Sequence, residues 1–238
     1  MIPKIIHWCW LSNDPIPEDL QKYINGWKKI LPDYEIWLWD FKRFEKSSSK
    51  WVSQAFDNKK YAFAADYIRL YALYNYGGIY LDSDVEVLKS YTPFLTLPTM
   101  ACCEYGSDNL EMATIGVEKH SKWIGDCLKF YEGKEFVRKD GTFEMLPLPQ
   151  VISHILKDEK YKLIKISNQD IVEGRKFSDK EIPVLSFDYF SPKSFDNNRV
   201  YLTDKTISIH QFAGTWINKK DLKWYRLKVK IKKIFHCN

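Results

Sequence analysis

The sequence predicts an α/β fold, built as a single domain with a mixed, mainly parallel β-sheet flanked by helices. Residues 5–39 contain an apolar strand pattern, an amphipathic helix pattern and a second strand pattern, and such a unit joins parallel strands by a right-handed crossover. Residues 61–88 repeat the alternation as a helix, two glycines, a strand and an acidic turn. The 238 residues, 45% of them hydrophobic, are enough for one sizeable core and require no second domain.

The first two predicted strands bring two side chains to one edge of the sheet. Residues 5–11 are apolar except for His7. The helix after them repeats large apolar residues at spacings of three and four, which is typical of a helix with one buried face. Residues 34–39 form the second strand. Trp10 and Asp40 therefore lie near the carboxyl ends of their strands, where open α/β sheets have their ligand crevice.

The segment 61–88 carries the most specific pattern in the chain. Its alanines and leucines favour a helix, and the glycines at 77 and 78 supply the backbone conformations that end helices. Residues 79–81 are all apolar, as in a strand buried on both faces. Asp82 and Asp84 follow one residue apart, and paired carboxylates at the end of a buried strand are suitable ligands for a hard cation.

The remaining elements are shorter and less regular. Residues 41–60 are polar and predict a surface segment with short helices. The other predicted elements, in order, are a strand at 100–104, a helix at 121–131, a loop at 132–150, a helix at 151–157, strands at 162–166 and 182–185, and a last strand at 207–210 that ends on His210.

The cysteines and the amino-terminal residues indicate the cellular compartment in which the protein lies. Five cysteines occur, at 9, 102, 103, 127 and 237; the count is odd and no Cys-x-x-Cys is present. This argues against a disulfide framework or a zinc knuckle and favours a reducing compartment. The chain begins without the apolar region of a signal peptide, and no apolar run reaches the length of a membrane span. We therefore expect a cytoplasmic protein.

Positive charge is concentrated at the carboxyl end. The net charge is +5, yet residues 219–233 hold eight Lys or Arg and one Asp, a charge of +7, which leaves −2 for the rest. We therefore divide the chain into a domain at 1–218 and a basic tail at 219–238. The apolar residues of the tail fall on one helical stripe, which suits a helix lying on an anionic membrane. A helix docked on its own domain and, because 228–232 alternates, a strand are the alternatives.

The pattern FAADYIRLYALYNYGGIYLDSDVEVL resembles the DXD-containing glycosyltransferases of family 32. These include fungal Golgi mannosyltransferases and bacterial capsule and O-antigen transferases, and the large glucosylating toxins share a related core. The stretches IPKIIHWCWL, YINGWKKILPDYEIWLWD and SIHQFAGTWIN extend the resemblance. It implies a GT-A-like domain that transfers a hexose, with retention, from a nucleotide diphosphate sugar to a glycan hydroxyl.

The resemblance also implies a type of organism and a cellular location. The fungal relatives carry an amino-terminal membrane anchor, which we do not find here, so we expect a bacterial enzyme of capsular or surface polysaccharide synthesis. Capsule transferases act on lipid-linked acceptors. We therefore expect a lipid-linked glycan as acceptor and a peripheral position at the inner face of the plasma membrane, held by the basic tail.

Residue roles follow from the same resemblance. Trp10 is expected to stack on the nucleobase, or else is a core aromatic. Asp66 and Arg69 are expected to bind hydroxyls and phosphate of the donor; because they lie three apart on one helix, a simple ion pair is the alternative. Asp40 is expected at the base or ribose, or else forms a turn. The expected donor-binding residues are Trp10, Asp40, Asp66, Arg69, Tyr80, Ser83 and Trp216, the last through its indole N–H.

Asp82, Asp84 and His210 are the expected ligands of Mn²⁺ or Mg²⁺, since an imidazole at a strand end near two carboxylates is a suitable third ligand; a structural His210 is the alternative. The metal would neutralise charge on the leaving diphosphate. UDP-galactose or UDP-glucose is the expected donor, with GDP-mannose possible. Glu104 matches an acid of the family, whereas Met112 stands near an Asn of many relatives. The expected catalytic residues are Asp66, Arg69, Asp82 and Asp84.

Two other classes of function remain as alternatives. A metal-dependent nucleotidyltransferase or a sugar-nucleotide hydrolase would use the same acidic turn, but a second metal would need further carboxylates. A non-catalytic carbohydrate- or nucleic-acid-binding module would account for the many aromatic residues and the basic tail. Nucleic-acid binding predicts basic residues spread over the domain, and here they are confined to one end, so we expect no nucleic-acid partner.

Overall fold

The computed structural model describes residues 1–12 and 14–214, and these form one α/β domain. Trp216 and the tail at 219–238 lie outside the described residues. The helices are α1 (Glu18–Ile30), α2 (Lys50–Asp57), α3 (Tyr61–Tyr76), α4 (Lys122–Lys129), α5 (Leu148–Asp158) and α6 (Asn168–Val172). The strands are β1 (Ile5–Cys9), β2 (Glu35–Trp39), β3 (Gly78–Leu81), β4 (Val85–Val87), β5 (Thr99–Met100), β6 (Thr114–Val117), β7 (Lys162–Lys165), β8 (Glu181–Val184) and β9 (Ser208–His210).

The central sheet is mixed, as predicted. Its strand order within the described chain is β2-β1-β3-β6-β5. β1 is parallel to both β2 and β3, whereas β6 is antiparallel to both β3 and β5, so two of the four strand pairs are parallel. The carboxyl ends of β1, β2 and β3 consequently meet at one edge, and the residues that follow these strands lie together there.

Most predicted elements are present, with shifted ends. The strand predicted at 100–104 is β5, which stops at Met100, because Cys102 and Cys103 form isolated bridges to Leu185 and Leu110. The segment 41–60 is only partly a surface segment, because one side of α2 is buried in the core. The sequence did not distinguish this half-buried helix from a solvated one.

Hydrophobic cores cover both faces of the sheet. One core contains residues of α2 to α5, and the other contains residues of α1 together with the segments around 91–97 and 185–190. β3 contributes Tyr80 to the first core and Ile79 and Leu81 to the second, and all four of its residues are buried. The prediction of a strand buried on both faces is confirmed. None of the helices in the described part of the chain has the length and apolar character needed to cross a bilayer.

The junction between α3 and β3 is held by an unusually close backbone approach. Gly77 and Gly78 both have positive φ, +66° and +99°. A Cβ at Gly78 would lie 2.7 Å from the carbonyl oxygen of Ile5 and 3.0 Å from Nε2 of His7. The glycine pair therefore ends the helix and also lets β3 begin directly against β1.

His7 fastens this junction from within β1. Its Nδ1 accepts a hydrogen bond from the indole N–H of Trp39 at 3.0 Å, and its Nε2–H donates to the carbonyl of Gly77 at 2.7 Å. Burial lowers the pKa of His7 to about 4, so the imidazole is neutral at physiological pH and can fill both roles. The single polar residue of the first strand thus joins β1, β2 and the end of α3.

Two small sheets complete the domain. β7 and β8 pair in parallel at one side. β9 pairs with β4 in antiparallel fashion, with His210 opposite Val85. Because Val85 directly follows the acidic turn, this register brings the last described strand beside the end of β3.

Replacing Gly78 with alanine should destabilise the protein, because the new Cβ meets backbone at 2.7 Å and the φ of +99° is strained for an L side chain. We expect the free energy of unfolding, measured in urea, to fall by roughly 1–3 kcal/mol or more. Gly26→Ala in α1 is the matched control: a Cβ there meets nothing within 4 Å, and alanine should raise helix stability by up to about 1 kcal/mol. Equal effects of the two substitutions would contradict the close approach at Gly78.

Candidate active site

The acidic turn after β3 is held by backbone groups on both sides. The amide of Asp82 donates to the carbonyl of Ala113 at 2.9 Å. The carboxylate of Asp84, which is buried, accepts from the amide of Ala213 at 2.7 Å, and its carbonyl accepts from the amide of Gln211 at 3.1 Å. The turn is thus fixed by the segment before β6 and by the segment after β9.

Asp82, Asp84 and His210 form the predicted cluster. Each offers one ligand atom, and these atoms lie within 4.8 Å of one another. Nε2 of His210 is 3.6 Å from Oδ1 of Asp84. The cluster combines the carboxyl end of β3 with the carboxyl end of β9, and the pairing of β4 with β9 brings the two ends together.

Glu111 is a further member of the site that sequence reasoning missed. Its side chain is 1% exposed. Its Oε2 accepts a hydrogen bond from the hydroxyl of Ser191 at 2.6 Å and lies 3.1 Å from Nδ1 of His210. Its Oε1 accepts from the amide of Ala113 at 2.8 Å. The sequence offered no signal, because Glu111 stands in an irregular loop where neither periodicity nor a motif separates it from a solvated acid.

Glu111 and His210 each shift the pKa of the other toward its charged form. Burial works to raise the pKa of Glu111, but His210 and the hydroxyl and amide donors outweigh it, and the pKa is lowered. Burial works to lower the pKa of His210, but the facing carboxylates of Glu111 and Asp84 raise it. A proton on Nε2 of His210 therefore occupies the position that a cation would take, so cation binding requires the loss of that proton.

Arg69 connects α3 to the acidic turn. Its guanidinium is buried, and its Nη2 donates to Oδ1 of Asp82 at 2.8 Å while its Nη1 donates to the carbonyl of Met112 at 2.9 Å. The distance from Nη2 to Oδ1 of Asp66 is longer, 3.6 Å. The intrahelical ion pair is therefore present, but the stronger contact of Arg69 is with the turn. Burial raises the pKa of Asp66 to about 6, against the opposing effect of Arg69.

The other predicted donor-binding residues have differing environments. The ring of Tyr80 is 1% exposed and lies 4.3 Å from the guanidinium carbon of Arg69, and its contact with the donor stays a prediction. Asp40 accepts from the amides of Lys42 and Arg43, as a turn-forming Asp does. Its contact with a nucleotide stays a prediction. Ser83, at the tip of the turn, is partly exposed.

Trp10 is half-buried directly after β1. Its indole N–H donates to the carbonyl of Asp14 at 3.0 Å, and its ring packs at the border of the core that contains α1. Because the side chain is only partly buried, base stacking and core packing both stay predictions. Trp216 lies outside the described residues, and its contact with a diphosphate stays a prediction.

A family model described as "Glycosyltransferase sugar-binding region containing DXD motif" matches residues 17–101. The matched segment contains Asp66, Arg69, Asp82 and Asp84, whereas Glu111 and His210 lie beyond it. Inositol phosphoceramide mannosyltransferase 3 of Schizosaccharomyces pombe is 38% identical over 104 residues, which cover 41% of this chain and 28% of the relative.

Mannosyl phosphorylinositol ceramide synthase SUR1 of Saccharomyces cerevisiae is 35% identical over 102 residues, which cover 41% of this chain and 26% of the relative. The chain thus matches about a quarter of the length of these relatives. Among solved structures, PaToxG Glycosyltransferase aligns with a TM-score of 0.51 and 21% identity, over 66% of this chain and 69% of that one. The predicted fold, a single glycosyltransferase-like α/β domain with a mixed sheet flanked by helices, is confirmed.

Asp66→Asn should change how stability depends on pH. The folded-state pKa of about 6 lies above the unfolded value near 4, so this carboxyl favours the folded state at low pH, and its contribution is lost as the pH rises through 6. Because asparagine does not titrate, the free energy of unfolding of the variant minus that of the wild type should rise by roughly 1–3 kcal/mol between pH 4 and pH 7.

Urea unfolding in EDTA at several pH values measures this difference. Asp179→Asn, which changes an exposed carboxyl, is the matched control and should show no comparable rise. A pH-independent difference for Asp66→Asn would show that the pKa of Asp66 is the same in the folded and unfolded states.

Proposed function

We propose that the protein is a retaining glycosyltransferase that moves a hexose from a nucleotide diphosphate sugar to a hydroxyl of a glycan. The observation that carries the proposal is the cluster of Asp82, Asp84 and His210, whose ligand atoms lie within 4.8 Å of one another. Two of its three members lie in the segment that matches the DXD family model. The names of the relatives, which are mannosyltransferases and related synthases, support the same class of reaction.

The donor atoms of the cluster suit a divalent cation, and the mixture of ligands favours Mn²⁺. Carboxylates are ligands for both Mg²⁺ and Mn²⁺, whereas imidazole is a ligand for transition metals. A cation bound here would supply positive charge to the diphosphate leaving group. Asp82 is the most exposed of the three side chains, so a diphosphate would reach a bound cation from the solvent side.

The chain's own residues would act by positioning and electrostatics. Arg69 holds Asp82 and is itself fixed by the carbonyl of Met112, so the turn is in place before a substrate binds. Asp66, which lies three residues before Arg69 on the same face of α3 and is largely buried, would accept hydrogen bonds from donor hydroxyls. These contacts orient the sugar relative to the leaving group, and orientation supplies a large part of catalysis in group transfer.

The identity of the donor is a finer proposal. UDP-galactose and UDP-glucose are the donors that we propose, with GDP-mannose as the alternative that the names of the relatives support. Met112 stands near an Asn of many family members. Its side chain is 2% exposed, and its backbone carbonyl, not its side chain, serves the site by accepting from Arg69. Donor choice in this chain therefore depends on other residues than the one at 112.

For the acceptor we propose a lipid-linked glycan of bacterial capsular or surface polysaccharide synthesis, at the inner face of the plasma membrane. The charge of +7 on residues 219–233 supports attraction to anionic lipid, at about 1 kcal/mol for each basic residue near the surface. Both relatives described above have names that include a ceramide lipid, which is consistent with an acceptor at a membrane.

A nucleotidyltransferase or sugar-nucleotide hydrolase remains the second candidate, since the acidic turn alone would serve either. Within residues 1–12 and 14–214 one group of side chains suits a metal, and a two-metal mechanism needs a second. A binding module without activity is the third candidate. Products formed with and without an acceptor distinguish the three.

The proposal is tested by incubating the protein with UDP-galactose, UDP-glucose and GDP-mannose in Mn²⁺, in Mg²⁺ and in EDTA. We expect metal-dependent release of the nucleotide from one donor. Asp84→Asn should lower the rate at least about a thousandfold, or roughly 4 kcal/mol of barrier, because it removes a formal charge from the cation site while keeping its shape. His210→Ala should be milder and should raise the Mn²⁺ concentration required.

Asp33→Asn, an exposed carboxyl paired with Lys4 on the surface, is the matched control and should have wild-type activity. Near wild-type turnover of Asp84→Asn at saturating Mn²⁺ would rule out the metal assignment. Metal-independent turnover of all donors would favour another class of enzyme.

The basic tail should bind the full chain to anionic liposomes. We expect the protein to sediment with phosphatidylserine-containing liposomes at low salt and to be released at high salt, because screening shortens the range of the attraction. A chain that ends at Lys219 should remain in the supernatant and still hydrolyse the donor. Equally poor sedimentation of both chains would assign the tail to the domain itself.

A further inference from the structure

We infer that Glu111 is a positioning residue, which holds the imidazole of His210 so that its Nε2 points to Asp84 and which ties this ligand to the acidic turn. The inference rests on the proposed metal-dependent function. Glu111 touches none of the reacting groups in this proposal and acts through His210.

The first argument is the geometry at His210. Nδ1 of the ring is 3.1 Å from Oε2 of Glu111, and the opposite nitrogen, Nε2, is 3.6 Å from Oδ1 of Asp84. A carboxylate can only accept, so Nδ1 must donate. The lone pair available to a cation is then on Nε2, the nitrogen that faces the cluster. A carboxylate partner on the second nitrogen of a ligand histidine fixes both the tautomer and the ring orientation.

The second argument is the donor set around Glu111. Three donors converge on its two oxygens: the amide of Ala113, the hydroxyl of Ser191 and the Nδ1–H of His210. A glutamine would offer one accepting oxygen and would turn N–H groups toward the remaining donors. The environment of residue 111 therefore favours a carboxylate over an amide. The buried negative charge of this carboxylate is compensated by the imidazolium of His210, or by a cation bound to the imidazole.

The third argument is that residues 111–113 contact the rest of the cluster by way of their backbone. The carbonyl of Met112 accepts from Arg69, which in turn donates to Asp82. The carbonyl of Ala113 accepts from the amide of Asp82, while the amide of Ala113 donates to Glu111. One loop of three residues thus supports the turn through its main chain and the histidine through its only acidic side chain.

The face of the imidazole is restrained as well. The ring of Phe212 lies 3.9 Å from the ring of His210, centroid to centroid, and Phe212 has a φ of +51°, which non-glycine residues seldom adopt. Glu111 fixes the edge of the ring and Phe212 its face. The imidazole is therefore held in place before any cation binds.

The test measures Mn²⁺ affinity of the full chain without donor, by the loss of the electron paramagnetic resonance signal of free Mn²⁺. Glu111→Gln should bind Mn²⁺ about 10- to 100-fold more weakly than the wild type. Ser191→Ala removes one donor to Glu111 and keeps the pair with His210, and Glu144→Gln changes a surface glutamate paired with Arg138; both should stay within about threefold of the wild type.

A spectroscopic signature separates positioning from a merely structural role. Bound Mn²⁺ in the wild type should show hyperfine coupling to an imidazole nitrogen, His210→Ala should lack it, and Glu111→Gln should show it reduced. Glu111→Asp, which keeps the charge and shortens the reach by one methylene, is measured in parallel and should show an intermediate loss of affinity. The melting temperature of each metal-free variant reports whether the fold is intact.

The possible results are distinct. Folded Glu111 variants that bind Mn²⁺ with wild-type affinity and coupling would overturn the role of Glu111 and leave the proposed function intact. A lowered melting temperature with unchanged affinity would show that Glu111 only stabilises the fold, which also overturns the inference. Absence of Mn²⁺ binding by the wild type would overturn the cation site itself, and the proposed function with it.

Discussion

The site depends on how closely β3 can begin beside β1. Without side chains at Gly77 and Gly78 the backbone of β3 approaches the carbonyl of Ile5, and His7 then fixes the junction through its two ring nitrogens. Because the connection between α3 and β3 is so short, it fixes the register of β3 relative to β1. Since β3 has only four residues, the position of its amino end determines where the acidic turn at its carboxyl end lies.

The cluster itself combines parts of the chain that are far apart in sequence. Asp82 and Asp84 come from the end of β3, and His210 comes from β9, the last strand described. Glu111, which lies 99 residues before His210, contacts the ring from a loop that belongs to neither strand. Each polar group meets at least one backbone amide, carbonyl or charged partner, as buried polar groups must if they are not to destabilise the fold. The charged groups are consequently held in place, which suits the proposed reaction because it relies on preorganised charge.

The sequence predicted the parts of this structure that are encoded locally. The run from Tyr61 to Asp84 contains a helix, a glycine stop, an apolar strand and two carboxylates in unbroken order, so its elements and the position of its acidic pair were both predicted. The pairing of β4 with β9 was not predicted, because strands of three residues carry too little pattern to reveal a partner. Glu111 was missed for a related reason: burial of a loop residue depends on distant segments, here those of Ser191 and His210. For Tyr80 the strand was predicted, but the sequence did not indicate that its ring packs in the core that contains α2 to α5.

The late position of β9 has a consequence for the order in which the protein becomes competent. The carboxylate of Asp84 accepts a hydrogen bond from the amide of Ala213, 129 residues further along the chain. During synthesis Asp82 and Asp84 are made long before His210 and Ala213, so the nascent domain has the two aspartates but neither the imidazole nor the amide of Ala213. A cation that prefers the complete set of ligands would bind the finished chain and not its precursor, and binding to one state adds to the stability of that state. At the proposed cation site, the full set of ligands would therefore form only after the chain has been made as far as β9, which supplies His210.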